Sequence, residues 1–215
     1  IKKIAEKYGV ELIEVLTGFK FIGEQIGILE KQGEEDRFIF GYEESYGYLA
    51  GSYVRDKDAV NASMLICEMA AFYRMKGISL IQARENMYKT YGVYYHTQQS
   101  FTFEGKAGME KMNSIMENLR KNYVAEIGGL KVILFEDYLE GISKNVETGE
   151  ITEIKLPKSN VLVFGLTDGA KVIIRPSGTE PKIKLYFGVK GTSAENATEE
   201  LEFLKEAMVK LVKEN

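Results

Sequence analysis

Two helical patterns run back to back, Asp58 to about Lys76 and Ser79 to about Tyr91. They are followed by Gly92 and by an aromatic-rich stretch from Tyr95 to Phe103 that predicts a strand. That junction constrains the fold most, because the chain changes its periodicity across it. Ahead of it, Ile1, Ile4, Ala5 and Tyr8 share a helical face closed by Gly9, and the β-branched run Val10 to Leu16 predicts a strand. Thr17-Gly18 turns into a helix over Phe19 to Lys31, and Arg37 to Tyr42 predicts another strand. The order helix, strand, helix, strand favours a parallel α/β layer. The helix begun by Asp58 is apolar around most of its circumference and is expected to be buried, Cys67 included.

Behind the junction, Met109, Met112, Ile115, Met116 and Leu119 mark an amphipathic helix. Strands are predicted at Lys131–Phe135, Val161–Leu166, Lys171–Ile174 and Ile183–Val189, with turn signals at Thr148-Gly149 and Asp168-Gly169. Thr192 and Glu195 form a capping box for a last helix along Ala197, Leu201, Leu204, Met208 and Leu211. This half predicts an α+β unit with a mostly antiparallel sheet. A boundary near residues 92–95 gives two domains, 1–92 and 93–215, each able to bury a core.

Composition narrows the function. The net charge of −4 with no basic block argues against nucleic acid. No apolar run reaches the ~18 residues of a membrane span, and no signal-peptide pattern opens the chain. The single cysteine excludes an internal disulfide and suits a reducing cytoplasm. One histidine, His96, and no Cys-x-x-Cys leave little for a zinc site. The chain starts on Ile1 inside a helical pattern, as a piece of a longer protein would.

Four stretches carry candidate chemistry. Glu43, Glu44 and Ser45 follow a predicted strand, where α/β sheets place ligands, and carboxylates beside a hydroxyl suit sugar hydroxyls. A solvated turn would use the same residues. Arg55-Asp56-Lys57-Asp58 supplies a lysine that desolvation could tune as an acid or base, or simply a self-neutralised charge pair. Arg175-Pro176-Ser177-Gly178-Thr179 combines a guanidinium fork, hydroxyls and a glycine at a turn, which suits phosphate but also a plain hairpin. Lys182 and Lys184 add charge on one strand face. Thr17-Gly18-Phe19-Lys20 opens a helix, where anions are favoured, or is only a strand-to-helix turn.

In this order, Thr17-Gly18-Phe19-Lys20, Gly41-Tyr42-Glu43-Glu44-Ser45-Tyr46-Gly47, Arg55-Asp56-Lys57-Asp58 and Arg175 to Lys182 resemble the α-D-phosphohexomutase superfamily, its bacterial phosphoglucomutase/phosphomannomutase branch above all. The resemblance implies a four-domain enzyme of which this chain is the C-terminal half. Domain 3 would be an α/β sugar-binding unit of mixed α/β/α layers, and domain 4 a phosphate-binding unit of TATA-box-binding-protein-like topology. Glu43 and Ser45 would hold sugar hydroxyls O3 and O4. Arg175, Ser177, Gly178 and Thr179 would grip the phosphate that is not transferred. Lys57 would act as acid/base or charge stabiliser, while Thr17, Gly18, Lys20 and Arg55 line the substrate. Mg2+ and a glucose 1,6-bisphosphate activator would serve the full-length enzyme, with the metal and phosphoserine loops in the missing N-terminal domains. This half alone would bind no cofactor and be inactive. The Glu-Glu-Ser form resembles glucose-preferring members; phosphomannomutase, phosphopentomutase, sugar-bisphosphate synthase or a non-catalytic phosphosugar-binding module stay open.

Overall fold

A computed structural model describes residues 1–44, 46–178 and 180–214. The chain divides into two compact units, Ile1–Tyr91 and Gly92–Asn215.

The first unit mixes helices with a short hairpin. Helix α1 (Lys2–Tyr8) stops at Gly9, whose φ of 62° lets its amide reach back to the last turn. Helix α2 (Phe19–Gln32) buries Phe19, Ile22 and Ile26, spaced three and four apart, against Leu49. Strands β1 (Phe40–Tyr42) and β2 (Tyr48–Ala50) pair antiparallel, Tyr42 opposite Tyr48. The expected strand at Val10–Leu16 does not form: an extended segment becomes a strand only when a neighbour takes up its amides and carbonyls, and no ladder reaches it among the described residues. The predicted strand from Arg37 is likewise trimmed to its last three residues, after a 3₁₀ turn at Glu35–Arg37. The pairing within this unit is thus a hairpin and not the expected parallel layer.

Helix α3 (Ala59–Met75) starts as expected on Asp58, whose carboxylate accepts from the amides of Val60 (2.8 Å) and Asn61 (3.0 Å). Helix α4 (Leu80–Tyr91) starts on the expected box: Ser79 N donates to Gln82 Oε1 (2.8 Å) and Gln82 N to Ser79 Oγ (3.2 Å). The expected burial of α3 is overturned. No residue of it is buried and Cys67 is exposed, because it packs chiefly on β2 and α4 and its remaining apolar faces are uncovered in this chain.

The second unit is a twisted antiparallel sheet with helices on one side. Its strands are β3 (Val93–Thr102), β4 (Glu126–Ile127), β5 (Leu130–Asp137), β6 (Ile142–Asn145), β7 (Ile151–Glu153), β8 (Leu162–Leu166), β9 (Lys171–Pro176) and β10 (Lys182–Gly191). Their order is β3-β10-β9-β8-β5-β6-β7, with β4 on β5. Alternate residues Ile183, Leu185 and Phe187 of β10 and Leu162, Phe164 and Leu166 of β8 turn inward. They meet Met112, Ile115 and Leu119 of α5 (Gly105–Lys121) and Leu201, Leu204 and Met208 of α6 (Ala194–Glu214). The cap of α6 shifts by one residue: Ser193, not Thr192, accepts from the Asn196 amide (3.2 Å), while Thr192 donates to the Asn196 side chain. Asp137, almost fully buried, is held by Arg120 at 2.7 Å and accepts from Leu139 N and Glu140 N, so its charge is paired at both oxygens.

Candidate functional site

In the first unit the site is built on the β1–β2 turn. Glu43 N donates to the Gly47 carbonyl (3.0 Å), which closes a short loop, and Tyr46 is left-handed at φ 66°. Ser45 lies outside the described residues. Closure folds the Glu43 side chain inward, to 13% exposure, with Oε1 3.9 Å from Lys57 Nζ. That ammonium is also 3.2 Å from Asp56 Oδ1 and stands over the Phe19 ring, 5.6 Å from its centre. An acceptor and a donor thus sit side by side above an apolar floor, which suits a polyhydroxylated ring. Asp56 accepts from the Lys57 amide and ammonium, in that order of weight, which hold its carboxyl below the usual carboxylate value.

Arg55 is occupied differently. Its Nη1 donates to the Ser52 carbonyl (2.6 Å) and its Nη2 meets Glu30 of α2 at 2.8 Å, so it fastens the 51–58 loop to the helix. Asp58 is both helix cap and acceptor of the Tyr53 hydroxyl (2.6 Å). That bond, then the Asn61 and Val60 amides, holds its carboxyl low. Gly18 enters α2 at φ 121° and ψ 129°, and the Lys20 ammonium leans on Phe21, 4.7 Å from its ring centre. No hydrogen bond or ion pair joins Thr17 or Lys20 to Glu43 or Lys57 among the described residues. The loop pair meets the helix entry at Phe19, through the Lys57 ammonium over its ring. Within the Thr17-Gly18-Phe19-Lys20 stretch the sequence assigns Phe19 itself no role, because a helix-face phenylalanine reads as core, which it also is.

In the second unit Arg175 and Lys184 stand directly opposite each other on β9 and β10. Cross-strand neighbours of that kind hold their side chains ~5 Å apart at the Cβ atoms. The turn joining the strands is tight: Ser177 N donates to the Lys182 carbonyl (2.7 Å), Lys182 N to the Glu180 carbonyl (2.8 Å), and Glu180 N to Ser177 Oγ (3.3 Å). No hydrogen bond or ion pair occupies the side chains of Arg175, Lys182 or Lys184 among the described residues. Gly178 is exposed, has no left-handed φ, and an added Cβ would meet nothing within 4 Å. The conformational freedom that made a glycine nest attractive is therefore not used at that residue. Thr179 lies outside the described residues. His96 pairs across from Gly188 on the other flank of β10, and burial together with Lys171 lowers its pKa. Among the described residues no group of three His, Cys, Asp or Glu side chains comes together to hold a metal ion. No helix among them is long and apolar enough to cross a membrane.

Comparison with known proteins follows the same two-unit division. The family described as phosphoglucomutase/phosphomannomutase, alpha/beta/alpha domain III, matches residues 1–91, and its C-terminal domain matches residues 112–206. A phosphoglucomutase of Staphylococcus aureus (strain bovine RF122 / ET3-1) is 44% identical over 189 residues, 88% of this chain and 34% of that protein. One from Staphylococcus epidermidis (strain RP62A) is 42% identical over 185 residues, 86% of this chain and 33% of the relative. Among solved structures, the open form of the Paramecium exocytosis-sensitive phosphoprotein pp63/parafusin, a phosphoglucomutase, superposes with a TM-score of 0.63 over 99% of this chain and 35% of its own, at 19% identity. That last likeness is one of fold. An α/β unit followed by an α+β unit agrees with these two domain matches and with that fold. The chain belongs to the phosphoglucomutase/phosphomannomutase family, of which it represents domain III and the C-terminal domain. It spans about a third of the length of the relatives it matches.

Proposed function

We propose that the chain supplies the sugar-reading and phosphate-gripping portion of a phosphohexomutase that interconverts glucose 1-phosphate and glucose 6-phosphate. The observation that carries the reading is the Glu43 carboxylate held 3.9 Å from the Lys57 ammonium over Phe19. An ionised carboxylate accepts from two neighbouring hydroxyls at once, and charge-assisted bonds of this kind are the stronger ones. Ser45, next in the Glu-x-Ser pattern, adds a hydroxyl. Lys57 serves as acid/base or charge stabiliser at the reacting end, where a transferring phosphoryl group spreads negative charge over its oxygens. Arg55 acts on the substrate through the loop that it fastens, and Thr17, Gly18 and Lys20 offer a helix entry that favours an anion.

In the second unit Arg175, Ser177, Gly178 and Thr179 hold the phosphate that stays on the sugar, with the planar guanidinium matched to two phosphate oxygens. The full enzyme passes a phosphate from a serine to the sugar and takes the other back from a glucose 1,6-bisphosphate intermediate, so one grip must serve both ends of the ring. Among the described residues no cluster for Mg2+ comes together. A magnesium ion in such an enzyme would take its ligands elsewhere, and its chemistry would be to neutralise charge on the transferring group.

The test is kinetic. In a full-length phosphoglucomutase carrying this sequence, Glu43→Ala and Arg175→Ala should each lower kcat/KM for glucose 1-phosphate about tenfold or more, as loss of a charged hydrogen bond predicts. Unchanged values for Glu43→Ala would remove it from the sugar site, and for Arg175→Ala would remove the phosphate grip.

A further inference from the structure

We propose that Gly47 is a positioning residue for the Glu43–Lys57 pair, kept without a side chain so that the carboxylate and the ammonium can stand side by side. The inference rests on the sugar-site reading given above for its kinetic consequence, but not for its geometry. Gly47 is buried at the end of the loop, where its carbonyl takes the Glu43 amide at 3.0 Å. A Cβ built on it would lie 2.6 Å from Glu43 Oε1, 2.8 Å from Lys57 Cδ and 2.9 Å from Glu43 Cγ. Non-bonded carbon atoms settle at about 3.5–4.0 Å, so one methyl group there cannot coexist with both side chains as they stand.

Three glycines let this unit close, and they do so for different reasons. A Cβ on Gly23 would meet the Arg55 carbonyl oxygen at 2.5 Å, which is backbone, so helix α2 and the 51–58 loop would have to part. One on Gly41 would meet Ile22 Cγ2 at 2.6 Å and Phe38 at 3.0 Å, which are core. Only at Gly47 are the obstructing atoms those of two flexible charged side chains. Gly47 is also not among the left-handed glycines, so alanine fits its backbone without strain. A methyl group at this position therefore leaves the hairpin intact and displaces the pair. The absence of a side chain is required by the site, not by the fold.

The same geometry gives Gly47 a specificity role. Gly47 stands against both side chains of the pair, so the sugar hydroxyls read by Glu43 are placed by how deeply its carboxylate can fold in. A misplacement of ~1 Å at such a contact is enough to cost up to about a hundredfold in rate.

The experiment has a structural and a kinetic arm, both on Gly47→Ala. A crystal structure of this chain carrying the substitution should keep the β1–β2 pairing while Glu43 and Lys57 separate beyond the roughly 4 Å of an ion pair. In the full-length enzyme, Gly47→Ala should lower kcat/KM about tenfold, mainly through kcat because the phosphate grip is untouched. Added to Glu43→Ala it should cost less than about twofold, since the group it displaces is already gone. Gly41→Ala serves as the contrast, losing thermal stability that Gly47→Ala keeps. A pair still at its present separation in the variant overturns the positioning role, and so does a loss that adds fully to that of Glu43→Ala. A displaced pair with unchanged kinetics instead overturns the sugar-site reading, and the role of Gly47 in function goes with it.

Discussion

The two units of this chain have opposite interiors. The second closes its sheet with two helices, and its buried set runs without a break from Met112 through the strands to Val212. The first has one small cluster, Phe19, Ile22, Ile26 and Leu49, with Val15 and Phe38 packed against it. Exposure mirrors this: among the described residues, only Tyr94, Leu139, Ile151 and Phe203 of the second unit are large exposed hydrophobics, and all the others belong to the first. Buried apolar area is the main stabilising term in a fold. Geometry in the second unit is therefore fixed by packing. In the first it is fixed by polar fastenings, which hold the candidate site: Arg55 to Glu30, Tyr53 to Asp58, and Glu43 N to the Gly47 carbonyl. A site tied down in this way is sensitive to single polar and glycine changes where a packed one is not.

The largest test of that contrast is truncation of a matched pair of hydrophobic side chains. Phe164→Ala in β8 empties a fully buried site between Phe135 and the helices and should cost about 3–5 kcal/mol. Met69→Ala on α3, where the residue is 42% exposed, should change stability by about 0.5 kcal/mol or less. Urea denaturation of both variants measures the difference. Equal losses would mean that the apolar faces of α3 are covered in solution and that the two interiors are not so different.

A smaller effect sharpens the comparison inside the first unit. Gly41→Ala would push a methyl group into Ile22 and Phe38, which belong to the small apolar cluster of this unit. Overpacking of this kind costs about 1–3 kcal/mol. A thermal midpoint equal to that of the parent chain would show the cluster to be soft enough to absorb a methyl group, and the hairpin would then not depend on a close approach to α2.

How much of this could be read from the residues follows the same division. The second unit was legible because its sheet lies half covered: alternation on β8, β9 and β10 and the helical stripes of α5 and α6 each state which side faces the core. The first was less so. Val10 to Leu16 has strand composition but no ladder, and α3 has the composition of a buried helix without a cover; pattern reports what a segment can pair with, and pairing depends on a neighbour. The charged stretch was legible in part. Asp58 was placed as the helix cap from its position alone. That Arg55 would turn to Glu30 was not, because nothing local marks a partner twenty-five residues away. Gly47 and Phe19 fall inside the motifs but gain no role of their own from the sequence, for a related reason: a glycine in a turn and a phenylalanine on a helix face each have an ordinary explanation, and only the distances to Glu43 and Lys57 add a second one.

The smallest expected effect is electrostatic and bears on how firmly the polar fastenings hold. In the folded chain the Tyr53 hydroxyl, with the Asn61 and Val60 amides, keeps the Asp58 carboxyl below its ordinary value. Asp56 is lowered in the same direction by Lys57. A depressed carboxyl binds fewer protons folded than unfolded, so its stabilisation is fully present above the ordinary carboxylate range, about pH 4, and is lost as pH falls through the lower folded value. Asparagine at position 58 still caps a helix but does not titrate. Parent chain and Asp58→Asn should therefore differ in urea midpoint at pH 6, the parent being the more stable, and converge as pH drops toward 3. The gap should also narrow in high salt, because the group is at the surface and its attraction for the positive end of α3 is screened. A gap that stayed constant from pH 6 to 3 would show that the carboxylate contributes through shape alone. The loop that carries Lys57 would then owe its position to packing after all, as the second unit does.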